Sequence, residues 1–221
     1  MASHLDLEEQ EQLDQLKHFW KTYGNLISWA LILILGGYAA WNGWHYWQRQ
    51  QAAKSSALYD EVERAIASKD LPRIERSAAD MKDKFGATHY AHQAALLAAR
   101  SLTEQGRLPQ ARDWLAWVAE QAPTPALRDI GRIRLAAVQW EMGQLDEALK
   151  TLQAEVGPES RPLAADLRGD VLMAKGQSAE AVQAYRQAAG GLPEANEYRR
   201  VVQAKLAVLG VDTAGAAEAR P

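Results

Sequence analysis

The feature that most constrains this chain is an uncharged apolar stretch at residues 26–47, which reads LISWALILILGGYAAWNGWHYW. No Asp, Glu, Lys or Arg lies between Lys21 and Arg49. As a helix, a stretch of this length rises roughly 33 Å, enough to cross a hydrocarbon core of about 30 Å. Because a helix satisfies its own backbone hydrogen bonds inside lipid, we predict a single transmembrane helix over residues 26–47.

Two properties of this span stay open on the residues alone. A cleaved signal peptide is the alternative to a permanent anchor, because residues 37–39 (GYA) resemble a cleavage site. The long acidic tail before the span and the tryptophans after it favour an uncleaved anchor. Charge does not decide the orientation, because Lys17 and Lys21 precede the span while Arg49 and Lys54 follow it.

One face of the predicted span carries small residues at helical spacing. Their positions, i, i+3, i+4 and i+7, place four residues on one side of the helix: Gly36, Ala39, Ala40 and Gly43. Small residues let a second transmembrane helix approach closely, which makes this face a candidate helix-packing surface. The alternative is that glycine and alanine are simply frequent in membrane helices.

A helical repeat dominates the region after the span. Three similar turns read EQGRLPQA, EMGQLDEA and AKGQSAEA. Each contains a glycine and, five residues later, an alanine: Gly106 and Ala111, Gly143 and Ala148, Gly176 and Ala181. The glycines are 37 and 33 residues apart, which is the tetratricopeptide period of paired helices. We expect each glycine to end the first helix of a pair in a left-handed cap, and each alanine to lie where helices cross.

Less regular segments flank these three units. Helices at residues 58–67 and 73–84 predict a degenerate first pair, and a last helix at residues 197–209 is predicted to cap the array. The fold class is therefore predicted as all-α, with a single N-terminal transmembrane helix followed by a tetratricopeptide-like helical repeat solenoid. The predicted domains are an amphipathic tail at 1–25, the span at 26–47, the repeat domain at 48–210 and a disordered C-terminus at 211–221.

The concave face of the repeat domain is the candidate partner-binding surface, because the first helix of each pair lines that face in such arrays. Counting back from each glycine gives the inward positions: Leu96 and Arg100, then Ile130, Ile133, Ala137 and Trp140, then Leu163, Asp166, Asp170 and Met173. The apolar middle of this set favours a helix or an extended peptide as ligand. The alternative is that a C-terminal helix of the same chain fills the groove.

The residues give no support for an enzyme or for a cofactor. Catalytic and phosphate-binding motifs are absent, and the chain has no cysteine to serve as a nucleophile or thiolate ligand. His89 and His92 lie at i, i+3, but two histidines without a third ligand make a poor metal site. A net charge of −3 gives no electrostatic case for nucleic acid. We predict a non-enzymatic interaction protein with no cofactor, no metal and no small-molecule substrate.

Several stretches resemble a known family. They read AADLRGDVLMAKGQ at residues 164–177, IRLAAVQ at 133–139 and ALKTL at 148–152, and the ADLRGD segment is the most specific of them. With the order of tail, span and repeats, they resemble the YfgM-like ancillary subunits of the SecYEG translocon over residues 19–209.

The resemblance implies a location, an orientation and partners. The protein would be a single-pass protein of the bacterial inner membrane, with its N-terminus in the cytoplasm and its repeat domain in the periplasm. Besides the lipid bilayer, its partners would be the SecYEG translocon and a membrane-anchored periplasmic chaperone of the PpiD type. Its role would be to aid transfer of translocated proteins to folding factors, and the family supplies no catalytic residues. The alternative function is a scaffold in another cell-envelope assembly, such as pilus or division machinery.

Overall fold

The computed structural model describes residues 7–211, except for the side chains of residues 7–12, 14 and 52. Within this range the chain forms α-helices and no strand, so the all-α prediction is confirmed. The predicted disordered C-terminus lies outside the described residues apart from Val211. The chain divides into two compact units, residues 1–51 and residues 52–221.

The first unit is formed by the helix α1, which spans Leu7–Ala67 and contributes its last residues to the second unit. From Gln15 onward α1 is long and apolar enough to cross a membrane, judged by length and composition. Its large apolar side chains between residues 26 and 47 are exposed within the chain, except for the half-buried Ile27. Exposure of apolar side chains all around a helix is typical of a surface that lipid covers.

The second unit is the repeat domain, in which eight further helices follow the end of α1. They are α2 (Leu71–Phe85), α3 (His89–Glu104), α4 (Leu108–Gln121), α5 (Pro125–Glu141), α6 (Leu145–Leu152), α7 (Arg161–Ala174), α8 (Ser178–Gly191) and α9 (Glu197–Val208). From α2 onward each helix packs against the next, and α5 also contacts α3 and α7. These contacts between first helices of successive pairs are those of a tetratricopeptide-like stack.

The turns between paired helices have the backbone that their glycines predict. The φ angle is +73° at Gly106 and +77° at both Gly143 and Gly176, in the left-handed region. Lys69 (φ 55°) holds the same position in the first turn, and Gly210 (φ +74°) holds it after α9. In all five turns the next residue's N–H donates to the carbonyl five residues earlier, at 2.8 to 3.2 Å. The repeat therefore extends to both flanks of the three turns that are obvious in the sequence.

Small residues allow the helices to pack closely at defined points. The three repeated alanines are fully buried: Ala111, Ala148 and Ala181. Gly131 of α5 touches α4, because a Cβ there would lie 2.8 Å from the backbone nitrogen of Ala119. Gly169 of α7 touches α8, because a Cβ there would lie 2.6 Å from Cδ1 of Tyr185. A side chain at either glycine would force two helices apart.

The apolar core has two main clusters, one in each half of the repeat domain. The first joins the end of α1 to α5 and contains large buried side chains such as Met81, Leu102 and Leu115. The second joins α7, α8 and α9, with Tyr185 and Leu206 among its buried members. These two clusters hold in place the helices that carry the candidate interaction surface.

Candidate protein-interaction surface

The predicted inward residues lie on α3, α5 and α7, and the repeat puts them in register. The spacing of 37 and 33 residues makes Leu96, Ile133 and Asp166 equivalent, and likewise Arg100, Ala137 and Asp170. Three of the predicted side chains are large, apolar and exposed: Ile130 (38%), Trp140 (37%) and Leu163 (43%). Uncovered apolar side chains of this size on one set of helices are typical of a docking surface.

A cleft of about 370 Å³ lies between α3 and α5. Buried or half-buried apolar side chains form its floor: Leu96, Ala99, Leu115, Ala137 and Val138. Exposed charged side chains form its rim: Arg100, Glu104, Arg134 and Glu141. The structure thus brings the predicted residues Leu96, Arg100 and Ala137 into one site.

The charged side chains on the rim of this cleft are held loosely. Arg100 Nε donates to Glu104 Oε1 at 2.8 Å, but the two side chains are 72% and 61% exposed. An exposed pair one helical turn apart contributes little and is easily exchanged for another partner. Arg134 and Glu141 have no ion-pair partner among the described residues.

The equivalent positions on α7 are occupied very differently. Lys205 of α9 donates to both carboxylates, at 2.9 Å to Asp166 and 2.8 Å to Asp170 Oδ1. Tyr198 of α9 donates its hydroxyl to Asp166 Oδ2 at 2.6 Å, and Tyr185 of α8 donates to Asp170 Oδ1 at 2.8 Å. We call these five residues the α7–α9 cluster. Asp166 and Asp170, which the sequence places on the candidate partner-binding face, are bonded within the chain, because α9 brings a cation to them.

The α7–α9 cluster changes the proton affinities of its members. Burial alone lowers the pKa of the Lys205 ammonium, but its hydrogen bonds to Asp170 and Asp166 outweigh burial and leave that pKa raised. Burial raises the pKa of Tyr198, and the neighbouring Asp166 carboxylate raises it further. Burial and Asp170 raise the pKa of Tyr185 in the same way. All three groups therefore keep their protons while the cluster is intact.

The alternative in which a C-terminal helix fills the groove holds for one part of this surface. α9 covers the carboxylates of α7, and Met173 packs into the same apolar cluster as α9. No residue of α9 lines the cleft between α3 and α5. The predicted surface therefore contains a covered part on α7 and an open part on α3 and α5.

Of the two histidines, His92 has a structural role and His89 is exposed. The ring of His92 is fully buried and stacks on Trp117, with centroids 4.1 Å apart and planes at 9°. Its Nδ1 lies 3.0 Å from the carbonyl oxygen of Thr88, and burial lowers its pKa. Among the described residues no group of three or more His, Asp or Glu side chains is placed to hold a metal ion.

No described residue outside α1 covers the small-residue face of α1 at its two glycines. A Cβ built at Gly36 or at Gly43 would have no described atom within 4 Å. This face therefore stays a predicted helix-packing surface.

Sequence reasoning missed Tyr198 and Lys205 as partners of the two aspartates. One signal was available, since Asp166 and Asp170 lie at i, i+4 on α7, on the side that the following last helix could cover. Buried carboxylates require a cation or hydrogen-bond donors, and Lys205 is the lysine of the last helix. The ADLRGD segment contains both aspartates and Gly169, so it joins α7 to both α8 and α9.

Comparison with known proteins agrees with this architecture. A family described as "Tetratricopeptide repeat-like domain" matches residues 17–211. A relative from Haemophilus influenzae is 34% identical, over 82% of this chain and 89% of the relative. A relative from Neisseria gonorrhoeae is 30% identical, over 93% of this chain and 98% of the relative. A relative from Escherichia coli is 29% identical, over 80% of this chain and 85% of the relative.

All three relatives carry the same name, "Ancillary SecYEG translocon subunit". The similarity extends over most of both sequences, so it includes more than the helical repeat alone. The resemblance drawn from the order of tail, span and repeats and from the quoted stretches is confirmed, and the chain belongs to the family of tetratricopeptide repeat-like ancillary SecYEG translocon subunits.

Proposed function

We propose that this chain is a non-enzymatic, membrane-anchored interaction module that associates with the SecYEG translocon. The observation that supports this most is the likeness to relatives named as ancillary subunits of that translocon, over four-fifths or more of the chain. An apolar helix able to cross a membrane and a repeat domain with uncovered apolar side chains supply the parts that such a role needs.

The proposed location is the bacterial inner membrane, with the N-terminus in the cytoplasm and the repeat domain in the periplasm. Positioned there, the repeat domain would meet polypeptides as they leave the translocon and pass them to periplasmic folding factors. A membrane-anchored chaperone of the PpiD type is the proposed second partner.

Protease protection tests this orientation. Protease added to intact spheroplasts is expected to degrade the repeat domain and to leave the N-terminal tail intact. A repeat domain that survives until the membrane is permeabilised would contradict the proposed orientation.

Co-purification after mild detergent extraction tests the association. The full-length chain is expected to recover SecYEG components. Recovery of pilus or division components without SecYEG would contradict the proposal and would support the alternative of another envelope scaffold.

The small-residue face of α1 is the proposed contact with a membrane partner. Gly36→Leu combined with Gly43→Leu should reduce recovery of SecYEG, because leucine holds a neighbouring helix away from the backbone. Gly37→Leu is a matched control, since this residue points to a different side of α1 and also has no described neighbour within 4 Å. Equal recovery with both variants would reject this face.

The exposed apolar side chains of α5 are the proposed contact with a periplasmic partner. Ile130→Ala combined with Trp140→Ala should reduce recovery of the chaperone while circular dichroism stays unchanged, because both side chains are exposed. Val208→Ala is the control, since Val208 is exposed but lies outside the predicted inward positions. Unchanged recovery with the α5 variant would remove these residues from the interface.

A further inference from the structure

The cleft between α3 and α5 has an electrical polarity along its length. Both helices end on a glutamate that lines it, Glu104 and Glu141. On each helix an arginine of the rim precedes that glutamate, Arg100 by one turn and Arg134 by two turns. The negative end of each helix dipole lies beside the glutamates and strengthens that pole.

The floor between these poles is apolar and too small for a folded partner. A volume of about 370 Å³ lies near the lower end of the range for small ligand sites, so it accepts a few side chains. Leu115 and Ala137 lie on this floor, and neither carries a charge. Arg100 and Glu104 pair with each other on this rim at 2.8 Å, and because both side chains are exposed a ligand can exchange that pair for its own charges. A ligand that inserts apolar side chains therefore meets the arginines first and the glutamates at the C-terminal ends of the two helices.

We infer that this cleft binds an amphipathic peptide segment in which one acidic and one basic residue flank an apolar anchor. The acidic residue pairs with Arg100 and Arg134, and the basic residue pairs with Glu104 and Glu141. The inference deepens the proposed function, because it rests on the domain being an interaction module and specifies the chemistry of the segment.

Charge complementarity distinguishes this occupant from the other candidates. The C-terminal helix α9 is already bonded to α7 through Lys205 and contributes no residue to the cleft. A uniformly acidic segment would repel the glutamate pole, and a uniformly basic one would repel the arginine pole. Only a segment with both signs satisfies both poles at once.

Spacing sets the geometry of the segment. Arg134 and Glu141 are separated by about 10 Å along α5, since each residue adds about 1.5 Å. A helical peptide with its charges one turn on either side of a central leucine spans a similar distance and presents all three side chains on one face.

The experiment compares three synthetic helical peptides that share a central leucine. One carries Glu on one side and Lys on the other, the second carries Glu on both sides, and the third carries Lys on both sides. Their binding to the full-length chain in nanodiscs of uncharged lipid is measured by fluorescence polarisation, with empty nanodiscs as the blank. The mixed peptide is expected to bind about threefold to tenfold more tightly than either of the others.

Charge reversal at the cleft then changes the preference in a defined direction. Glu104→Lys with Glu141→Lys makes both poles cationic and should favour the peptide with two glutamates. Arg100→Glu with Arg134→Glu makes both poles anionic and should favour the peptide with two lysines. All four side chains are exposed, so the fold should tolerate both variants.

A matched control makes the same change in net charge at a different place. Glu147→Lys on α6 with Glu180→Lys on α8 alters the total charge as the first cleft variant does, at exposed positions outside the cleft. It should keep the preference for the mixed peptide. Equal binding of all three peptides, or a preference that follows net charge in this control, would overturn the inference.

The result of the peptide experiment can be distinguished from the result of the SecYEG co-purification. Loss of the peptide preference with intact SecYEG co-purification would overturn only the ligand chemistry of the cleft. Intact peptide preference without SecYEG co-purification would overturn only the association with the translocon.

Discussion

The cleft between α3 and α5 and the α7–α9 cluster use equivalent positions of the same repeat, yet one is open and the other is closed. Leu96 and Arg100 stand in the repeat where Asp166 and Asp170 stand two units later. On α3 the Arg100 charge is exposed to solvent beside an apolar floor. On α7 the Asp166 side chain is only 4% exposed and is bonded to α9.

The difference teaches which part of the repeat decides accessibility. The repeat period fixes where the backbone of each helix lies. Whether the inward surface of a first helix is covered depends on the side chains of the first helix in the next pair. α9 offers Lys205 and Tyr198 to two carboxylates that could not stay buried alone. On α5 the residue that lines the same cleft as Arg100 is Ala137, whose small side chain leaves space between α3 and α5.

The largest expected effect comes from removing the cation of the closed region. Lys205→Met leaves Asp166 and Asp170 with their tyrosine donors but without their cation in a largely buried site, which should cost about 3 kcal/mol in the free energy of unfolding. Urea denaturation of the full chain in detergent measures it.

The matched change in the open region is Arg100→Met, which breaks an exposed pair and should cost less than about 0.5 kcal/mol. Similar losses for the two variants would contradict the contrast between a closed and an open region.

A smaller effect is expected from the glycine that allows α7 and α8 to meet. Gly169→Ala should cost about 2 kcal/mol, because its methyl group would overlap the ring of Tyr185. Thermal melts followed by circular dichroism measure the loss.

Gly190→Ala in α8 is the control, since a Cβ there has open space around it. This change should be neutral or stabilise slightly, as alanine is the better helix former. A destabilisation as large as that of Gly169→Ala would show that flexibility, and not packing, explains the effect.

Next comes Tyr198→Phe, which removes the hydroxyl bonded to Asp166 and should cost about 1 kcal/mol at neutral pH. Folding raises the pKa of Tyr198, Tyr185 and Lys205, so their contribution is complete below the ordinary tyrosine value of 10.0 and is lost as pH rises above it. Unfolding free energies between about pH 9 and pH 11 should fall steeply in the native chain and less steeply in Tyr198→Phe. Identical slopes would exclude this hydroxyl as a source of alkaline sensitivity.

The smallest change in stability is expected at acid pH, from His92 in the half of the repeat domain that carries the open cleft. Folding lowers the pKa of His92, mainly through burial, so its contribution is complete above the ordinary value of 6.5 and is lost as pH falls through the folded value. His92→Phe keeps a ring stacked on Trp117 and should flatten the loss of stability on acidification. His89→Phe is the control because that residue is exposed, and equal flattening by both variants would argue against His92.

Much of the fold followed from the residues. The glycines at 106, 143 and 176 predicted the left-handed turns, and the alanines five residues later predicted buried positions. A turn was also predicted between the helices at 58–67 and 73–84, but its left-handed residue was not, because Lys69 adopts the conformation that glycine adopts elsewhere. Gly131 and Gly169 could not be singled out, because a glycine within a helix looks the same whether or not another helix touches it.

The sequence by itself determined the apolar helix, the helical repeat and the family, because hydropathy and periodicity are properties of the chain alone. Only the tertiary structure decided which inward positions are open. Leu96, Arg100 and Ala137 meet at a cleft, whereas Asp166 and Asp170 are covered by a helix that begins about thirty residues later. The reason is physical: burial of a carboxylate depends on whether a distant donor reaches it, and spacing along the chain does not record that distance.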